Sequence, residues 1–494
     1  MSRRIPIFYS ALMLTGVNLL LRFVGTSFQV YLSGKIGASG IGLVQLVMSV
    51  GSLAMVAAMG GIRTGTMYLT AEELGKNRPQ NIRSILSGCF LYSILFSVSV
   101  SVLLYIAAPW IAEYWIRDLR TVGALRLYSA LLPCVCLCGV MTGYFTGANR
   151  IGTLAGIEVA EQLITMVITL TALNLWAGSN PSRACLCVIL GSGCGACMTL
   201  ICLTILRLRE KGPEGKPIPV RKRLCATALP LAVADDLRTG ISTAENLMVP
   251  ARLSLCTHVA DPLAAFGTVS GMVFPVMMFP ACILFGLAEL LIPELARCSA
   301  AGSTRRISHL VRKSLKTAMI YGSYFSGLIF LLAQELCQKL YGSQEAGQYL
   351  RLYALMVPML YCDSITDAMI KGLGQQRISV RYNILTNILD ILLLYFLLPR
   401  YGMYGYFVSF LLTHLLNFGL SLRRLLIICR ERISLMQPLL GMIAMVPSVL
   451  IASMTGSPAG RITAYTGILT SLFFLFGIAG RNDVKWLRGL IRRT

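Results

Sequence analysis

The chain has 494 residues, 56% of them hydrophobic and 13% charged. Soluble domains carry about 25% charged residues, so a soluble enzyme or binding domain of this size is excluded and a multi-pass membrane protein is expected. The net charge of +23 does not point to nucleic acid. Lys and Arg are spread over short loops between apolar runs instead of concentrating on one face of a soluble domain, which suits membrane topology and contact with anionic lipid heads.

Apolar stretches of about 20 residues, long enough to cross a bilayer, are predicted at 5–31, 41–62, 84–109, 122–147, 154–176, 183–206, 226–250, 264–292, 314–334, 348–371, 380–399, 403–422, 434–453 and 461–479. These make fourteen helices in an all-α membrane protein. The N-terminus, MSRRIPIFYSALML, begins like a signal peptide, but its apolar run continues past Arg22 with no small-residue cleavage site, so it reads as the first helix. Arg22 lies too deep in that helix to reach the surface, which marks it as cavity-lining. Arg63, ending helix two, either lines the cavity or reaches the inner surface. The run GASGIG at 37–42 lies between two membrane helices and reads as an outer turn, not a nucleotide loop.

Glu158 and Glu161 of helix five share a face at i, i+3. Helix seven carries Asp235, Asp236, Arg238 and Glu245 inside a stretch of spanning length. Each such charge costs about 3 kcal/mol or more at the bilayer centre, so these side chains must face protein or water. Helical spacing puts Arg238 and Glu245 nearly on one line, with Asp235 about 60° round, while Asp236 points elsewhere. The stripe reads either as an internal salt bridge or as the wall of a substrate or ion pathway. In helix ten, Asp363, Asp367 and Lys371 share a face, for a cation, for Arg238 or for neutralisation within the helix. Asp390 of helix eleven reads as a satisfied packing residue and His414 as a core histidine. Most of the sixteen cysteines lie in apolar segments as packing residues, and Cys134, Cys136 and Cys138 alternate around a helix without forming a metal site.

About 32 of the 44 Lys and Arg fall on one side if the N-terminus is inside, which places both termini in the cytoplasm. LYSALLP at 127–133 recurs as LYALMVP at 352–358, 225 residues later, and each proline is followed fourteen residues on by glycine, Gly147 and Gly372. Helices one to six therefore match seven to twelve as a parallel repeat. The expected division is an N-terminal lobe at 1–207, a polar cytoplasmic linker at 208–224, a C-terminal lobe at 225–425, and two further helices with a basic tail at 426–494. Two such lobes enclose a midplane cavity that opens alternately to either side. No Walker sequence, metal-ligand cluster or nucleophile with a base is visible, so neither an enzyme nor a cofactor is expected.

The run YLSGKIGASGIGLVQLVMSVGSLAMVAAMGGIRTGTMYLTAEELGK at 31–76 resembles the first hairpin of the oligosaccharide flippase and stage V sporulation protein B family. ENLMVP at 245–250, the segment 266–296 and the segment 340–376 resemble the same family. It lies within the multidrug/oligosaccharidyl-lipid/polysaccharide exporter superfamily, which includes the lipid II flippases. The resemblance implies two lobes, fourteen helices and movement of undecaprenyl-pyrophosphate-linked saccharide from the inner to the outer leaflet. It implies a cationic cavity for the pyrophosphate, matched here by Arg22 and Arg63, with Arg238 as a further candidate. The chain keeps Glu161-Gln162 of helix five but lacks the arginine often found just after it, and the Asp235-Asp236 pair is not a family signature.

The expected function is thus a flippase of the bacterial plasma membrane. Arg22, Arg63 and Arg238 are the substrate-binding candidates, and Asp235, Glu245, Glu161, Asp363 and Asp367 line the cavity or couple transport to sodium or protons. The alternatives are a cation-coupled multidrug antiporter of the same superfamily and a non-transporting scaffold.

Overall fold

The computed structural model describes residues 7–76, 78–178, 180–209, 220–429 and 436–478, and all regular structure among them is helical. Most of the expected linker, at 210–219, and both chain ends lie outside these residues. The chain forms two compact units, 1–271 with 391–403 and 272–390 with 404–494. The first contains α1 (Ile7–Met59), α2 (Ile62–Gly75), α3 (Ile82–Trp110), α4 (Val122–Gly147), α5 (Ile151–Ala172), α6 (Pro181–Leu208), α7 (Val220–Leu253) and α8 (Pro262–Gly267). The second contains α9 (Phe274–Met278), α10 (Ala281–Ala300), α11 (Thr304–Tyr341), α12 (Gln344–Ala354), α13 (Val357–Gly372), most of α14 (Gln376–Tyr401), nearly all of α15 (Met403–Cys429), α16 (Met436–Ser453) and α17 (Pro458–Leu475).

All fourteen predicted stretches lie on helix wherever they are described, apart from short breaks. Eight helical stretches among the described residues are long and apolar enough to cross a membrane, one of them, Leu19–Gly75, running across the Gly37 and Gly60-Gly61 breaks, and a bent pair, Pro262–Met278 with Ala281–Ala288, makes a ninth. Charge at Asp235, Asp236 and Arg238 lowers the apolarity of α7, and Asp363, Asp367 and Lys371 do the same in α13. The turn expected over 37–42 is shorter than the glycines suggested. Only Gly37 leaves helical geometry, at φ 82° and ψ 173°, and helix resumes at once. Positive φ is the conformation glycine adopts without a Cβ clash, whereas Gly40 and Gly42 are spent on close packing.

In the first unit α1 touches α3 to α8, α4 packs on α2, α3 and α6, and α5 packs on α6. Small residues set these approaches, as expected where lipid tails supply no hydrophobic drive and association rests on close van der Waals contact. A Cβ on Gly147 of α4 would lie 2.5 Å from the Met67 carbonyl oxygen of α2. In the second unit a Cβ on Gly372 of α13 would lie 2.9 Å from the Ile292 carbonyl oxygen of α10. Both partners are shifted by 225, from 147 to 372 and from 67 to 292. A hydrogen-bond pair follows the same shift: Ser101 donates to the Ser129 carbonyl at 2.6 Å, and Ser326 to the Ala354 carbonyl at 2.7 Å. The repeat read from LYSALLP and LYALMVP is therefore also a repeat of contacts.

The second unit is organised on α11, which packs on α12, α13, α16 and α17. Tyr465 of α17 is fully buried and donates to the Ser323 carbonyl at 2.7 Å, in space that a side chain on Gly327 would fill. Between α9 and α10 the chain bends by 65° at Phe279-Pro280. Backbone groups freed within a membrane must be satisfied by protein. Tyr321 donates to the Pro280 carbonyl at 2.7 Å and Tyr361 to the Met277 carbonyl at 2.8 Å.

Candidate functional site

The sequence-predicted residues fall into separate groups, three in the first unit and three in the second. In the first unit, α2 leaves the Gly60-Gly61 break with Arg63 in its opening turn. Arg63 Nη2 lies 4.0 Å from Glu158 Oε1 of α5, and the Arg63 side chain is 58% exposed. Glu161, one turn further along α5, accepts a 2.7 Å hydrogen bond from Thr199 of α6. The shared face of Glu158 and Glu161 is thus divided between a guanidinium and a hydroxyl. Thr199, itself buried, is an uncharged partner that hydropathy hides.

Arg22 is exposed on the first segment of α1. Asp235 and Arg238 are exposed on α7, while Asp236 and Glu245 are half-buried. The Asp236 Oδ1 atom is buried without a hydrogen-bond partner among the described residues. Next to Glu245, α7 is clamped to the second segment of α1. Thr243 donates to the Ser49 carbonyl at 3.0 Å and Asn246 to the Ser49 hydroxyl at 3.1 Å. Nearer the Gly37 break, α8 meets α1 through glycine. A Cβ on Gly42 would lie 2.5 Å from the Leu263 carbonyl oxygen, and one on Gly267 would collide with the Ala38 carbonyl oxygen.

In the second unit Asp367 is paired within its own helix with Lys371 at 2.5 Å and accepts from Ser379 of α14. Asp363 is buried. It accepts from Asn417 of α15 at 3.0 and 3.2 Å, and His414 Nδ1 lies 3.4 Å from it. The histidine expected in the core is therefore a carboxylate neighbour. Asp390 is also buried, accepting from Ser409 at 2.6 Å and from Thr413 at 3.3 Å. Ser409, Thr413 and Asn417 follow one another at i, i+4, i+8, so a single face of α15 serves both buried carboxylates. That spacing was the available sequence signal, carried by residues too mild to lower the hydropathy of the helix. A buried carboxylate held only by neutral donors is a group whose charge state or bound cation can matter, because an unpaired charge there is costly.

Residues 15–176 and 248–396 match the MatE family. Among curated proteins the chain is 21% identical to stage V sporulation protein B of Bacillus subtilis (strain 168), over 74% of this chain and 72% of that one. It is 22% identical to sporulation protein YkvU of the same organism, over 74% and 82%. Among solved structures, lipid II flippase MurJ in an inward closed conformation aligns with a TM-score of 0.73 at 12% identity, covering 94% of this chain and 98% of that one. An inward-facing multidrug resistance MATE family transporter of the MOP superfamily aligns at 0.65 and 12% identity, over 85% and 99%. At such identities these structures speak for the fold, and the fold they speak for is the all-helical transporter architecture expected from the sequence. With the larger part of its length matched, this multi-pass membrane protein belongs to the MatE family.

Proposed function

We propose that the protein is a flippase that moves an undecaprenyl-pyrophosphate-linked saccharide, lipid II or a polysaccharide repeat unit, from the inner to the outer leaflet by alternating access. It would act in cell-wall, spore-cortex or surface-polysaccharide biogenesis, in the bacterial plasma membrane with both termini cytoplasmic. The division into lobes at 1–207 and 225–425, the linker at 208–224 and the appended segment at 426–494 belong to the same proposal.

The observation that carries it is the exposure of Arg22, Arg63 and Arg238 on helices of the first unit. A guanidinium in contact with lipid costs about 3 kcal/mol or more, so such side chains belong to a water-filled space. Arginine presents coplanar donors to phosphate oxygens, and a pyrophosphate bears about two charges that hydrocarbon cannot hold. The polyprenyl tail stays in lipid while the head group passes. Asp235, Glu245, Glu161, Asp363 and Asp367 are the coupling candidates for sodium or protons, and Asp390 joins them through its burial. Similarity to stage V sporulation protein B and to the MurJ fold supports the reading.

A cation-coupled multidrug antiporter is the second reading, favoured by the buried Asp363 and Asp390 and by the MATE fold. The deciding experiment is leaflet accessibility of lipid II and of an undecaprenyl-pyrophosphate oligosaccharide in reconstituted vesicles, for wild type, Arg22→Ala and Arg63→Ala. Transport by wild type that both variants lose while still folding upholds the flippase. Movement of cationic dyes against an ion gradient, with neither lipid moving, replaces it by the antiporter.

A further inference from the structure

Apart from these charge clusters, the second unit holds a cleft of about 680 Å³ among Phe330 and Gln334 of α11, Glu345, Gln348 and Arg351 of α12, and Tyr404 of α15. That volume lies within the roughly 300–1,000 Å³ of small-ligand sites. The cleft is built from positions fixed by the fold. Ser343 caps α12 by accepting from the Ala346 N–H at 3.2 Å. Gly347 lets Gln334 lie against α12, because a Cβ there would come within 2.6 Å of the Gln334 amide oxygen. The Arg351 guanidinium rests 4.5 Å from the centre of the Phe330 ring, which holds it in place with its N–H edges free of that face. Ala346, Gly347, Leu350, Tyr353 and Ala354 bury the opposite side of α12, so the cleft opens on the helix's polar side.

The lining chemistry narrows the ligand. One carboxylate and one guanidinium balance each other, which disfavours a free phosphate or a simple cation. Two side-chain amides, a carboxylate and a guanidinium each offer paired, coplanar hydrogen-bonding atoms. Such pairs suit adjacent hydroxyls on a ring, and the Tyr404 phenol, 68% exposed, offers an apolar face to a sugar's C–H face. We propose that this cleft binds a saccharide, at a place separate from Arg22, Arg63 and Arg238. The preference for a saccharide over other polyhydroxylated ligands rests on the function proposed above.

The test uses purified full-length protein in detergent micelles on an array of peptidoglycan fragments and bacterial surface oligosaccharides. The Kd of the best soluble glycan is then compared between wild type, Gln348→Ala and Tyr404→Ala. Both residues are exposed, and monodispersity on size exclusion checks that the variants fold. Wild type is expected to bind, and each variant to bind about tenfold more weakly, the scale of one lost hydrogen-bonding or ring contact. No glycan bound by wild type, or equal affinity in both variants, overturns the site. Lipid transport assayed in parallel separates the two ideas: transport without glycan binding removes the cleft alone, and variant-sensitive glycan binding without transport keeps the cleft and removes the flippase.

Discussion

Gly42 and Gly267 make the same close approach in opposite directions. Gly42 faces the Leu263 carbonyl and Gly267 faces the Ala38 carbonyl, and the shift of 225 that carries 42 to 267 also carries 38 to 263. A contact in which each partner plays both parts is the signature of a two-fold relation, as in a symmetric dimer. Here it joins the second segment of α1 to α8 within a single chain.

Gly267→Ala is expected to destabilise the protein by about 1–3 kcal/mol, the cost of forcing atoms into a filled contact. Gly467→Ala is the control, since it lies in α17 with nothing within 4 Å of a new Cβ. It should be neutral or stabilise by up to about 1 kcal/mol through lower chain entropy. Thermal unfolding in detergent compares the two, and a Gly267→Ala protein as stable as wild type removes the close-approach account. Combining Gly42→Ala with Gly267→Ala should cost less than the two effects added, because both open one contact.

Ser101→Ala and Ser326→Ala test the repeat. Each removes one hydroxyl that donates to a carbonyl 28 residues further along the chain. Both should cost about 1 kcal/mol, the usual net worth of such a bond. Denaturant midpoints for the two variants should fall together, and a loss in only one would show that the equivalence is formal and not energetic.

The spans were legible because hydrophobic length is a one-dimensional property, and the repeat because two seven-residue strings preserve it. Pairing across helices was not, since it depends on which faces meet. The sequence put Glu158 and Glu161 on one face but gave no sign that Arg63 takes the first and Thr199 the second. It made Asp390 solitary because Ser409 and Thr413 carry no charge. Glycine misled at 37–42, where five residues that read as a turn continue the helix.

The two helix-ten carboxylates and Asp390 differ in how their charge is met. Lys371 already neutralises Asp367, while the side-chain partners of Asp390 among the described residues are the hydroxyls of Ser409 and Thr413. In the proposed transporter Asp390→Asn should therefore flatten the sodium or pH dependence of lipid movement, and Asp367→Asn should change it less. Transport rates across sodium and pH series in vesicles check this, and the reverse order would move the coupling role to Asp367.

Asp118 lies between the ends of two spans. Burial pushes its carboxyl up, but the Arg120 side chain, backbone N–H and charge together hold it below the usual carboxylate range. The Arg120 N–H and guanidinium reach it at 2.6 to 3.0 Å. A carboxyl with a depressed folded pKa stabilises above its unfolded value of about 3.9 and loses that contribution as pH falls through the folded value. Asp118→Asn keeps a capping oxygen but loses the charge that faces Arg120, so it should lower the melting temperature at pH 7 by the equivalent of about 0.2–1 kcal/mol, the worth of an exposed ion pair. The gap from wild type should close as the pH falls below the usual carboxylate range. A gap constant with pH would assign the effect to shape instead of charge.

The bend at Phe279-Pro280 has a mechanical consequence. The carbonyls on its two sides, at Met277 and Pro280, accept from the phenols of Tyr361 and Tyr321, from two different helices. Straightening the bend would cost both hydroxyls their acceptors, at the highest cost for the buried Tyr361, so it is braced as an elbow instead of left free as a hinge. The Gly60-Gly61 break between α1 and α2 is built otherwise. Tyr92 reaches the Gly60 carbonyl at 3.2 Å, and two glycines at positive φ carry the turn. Bending between helical segments is therefore easier at glycine breaks such as this one, which directly precedes the segment that bears Arg63, and the one at Gly37, than at the Phe279-Pro280 elbow.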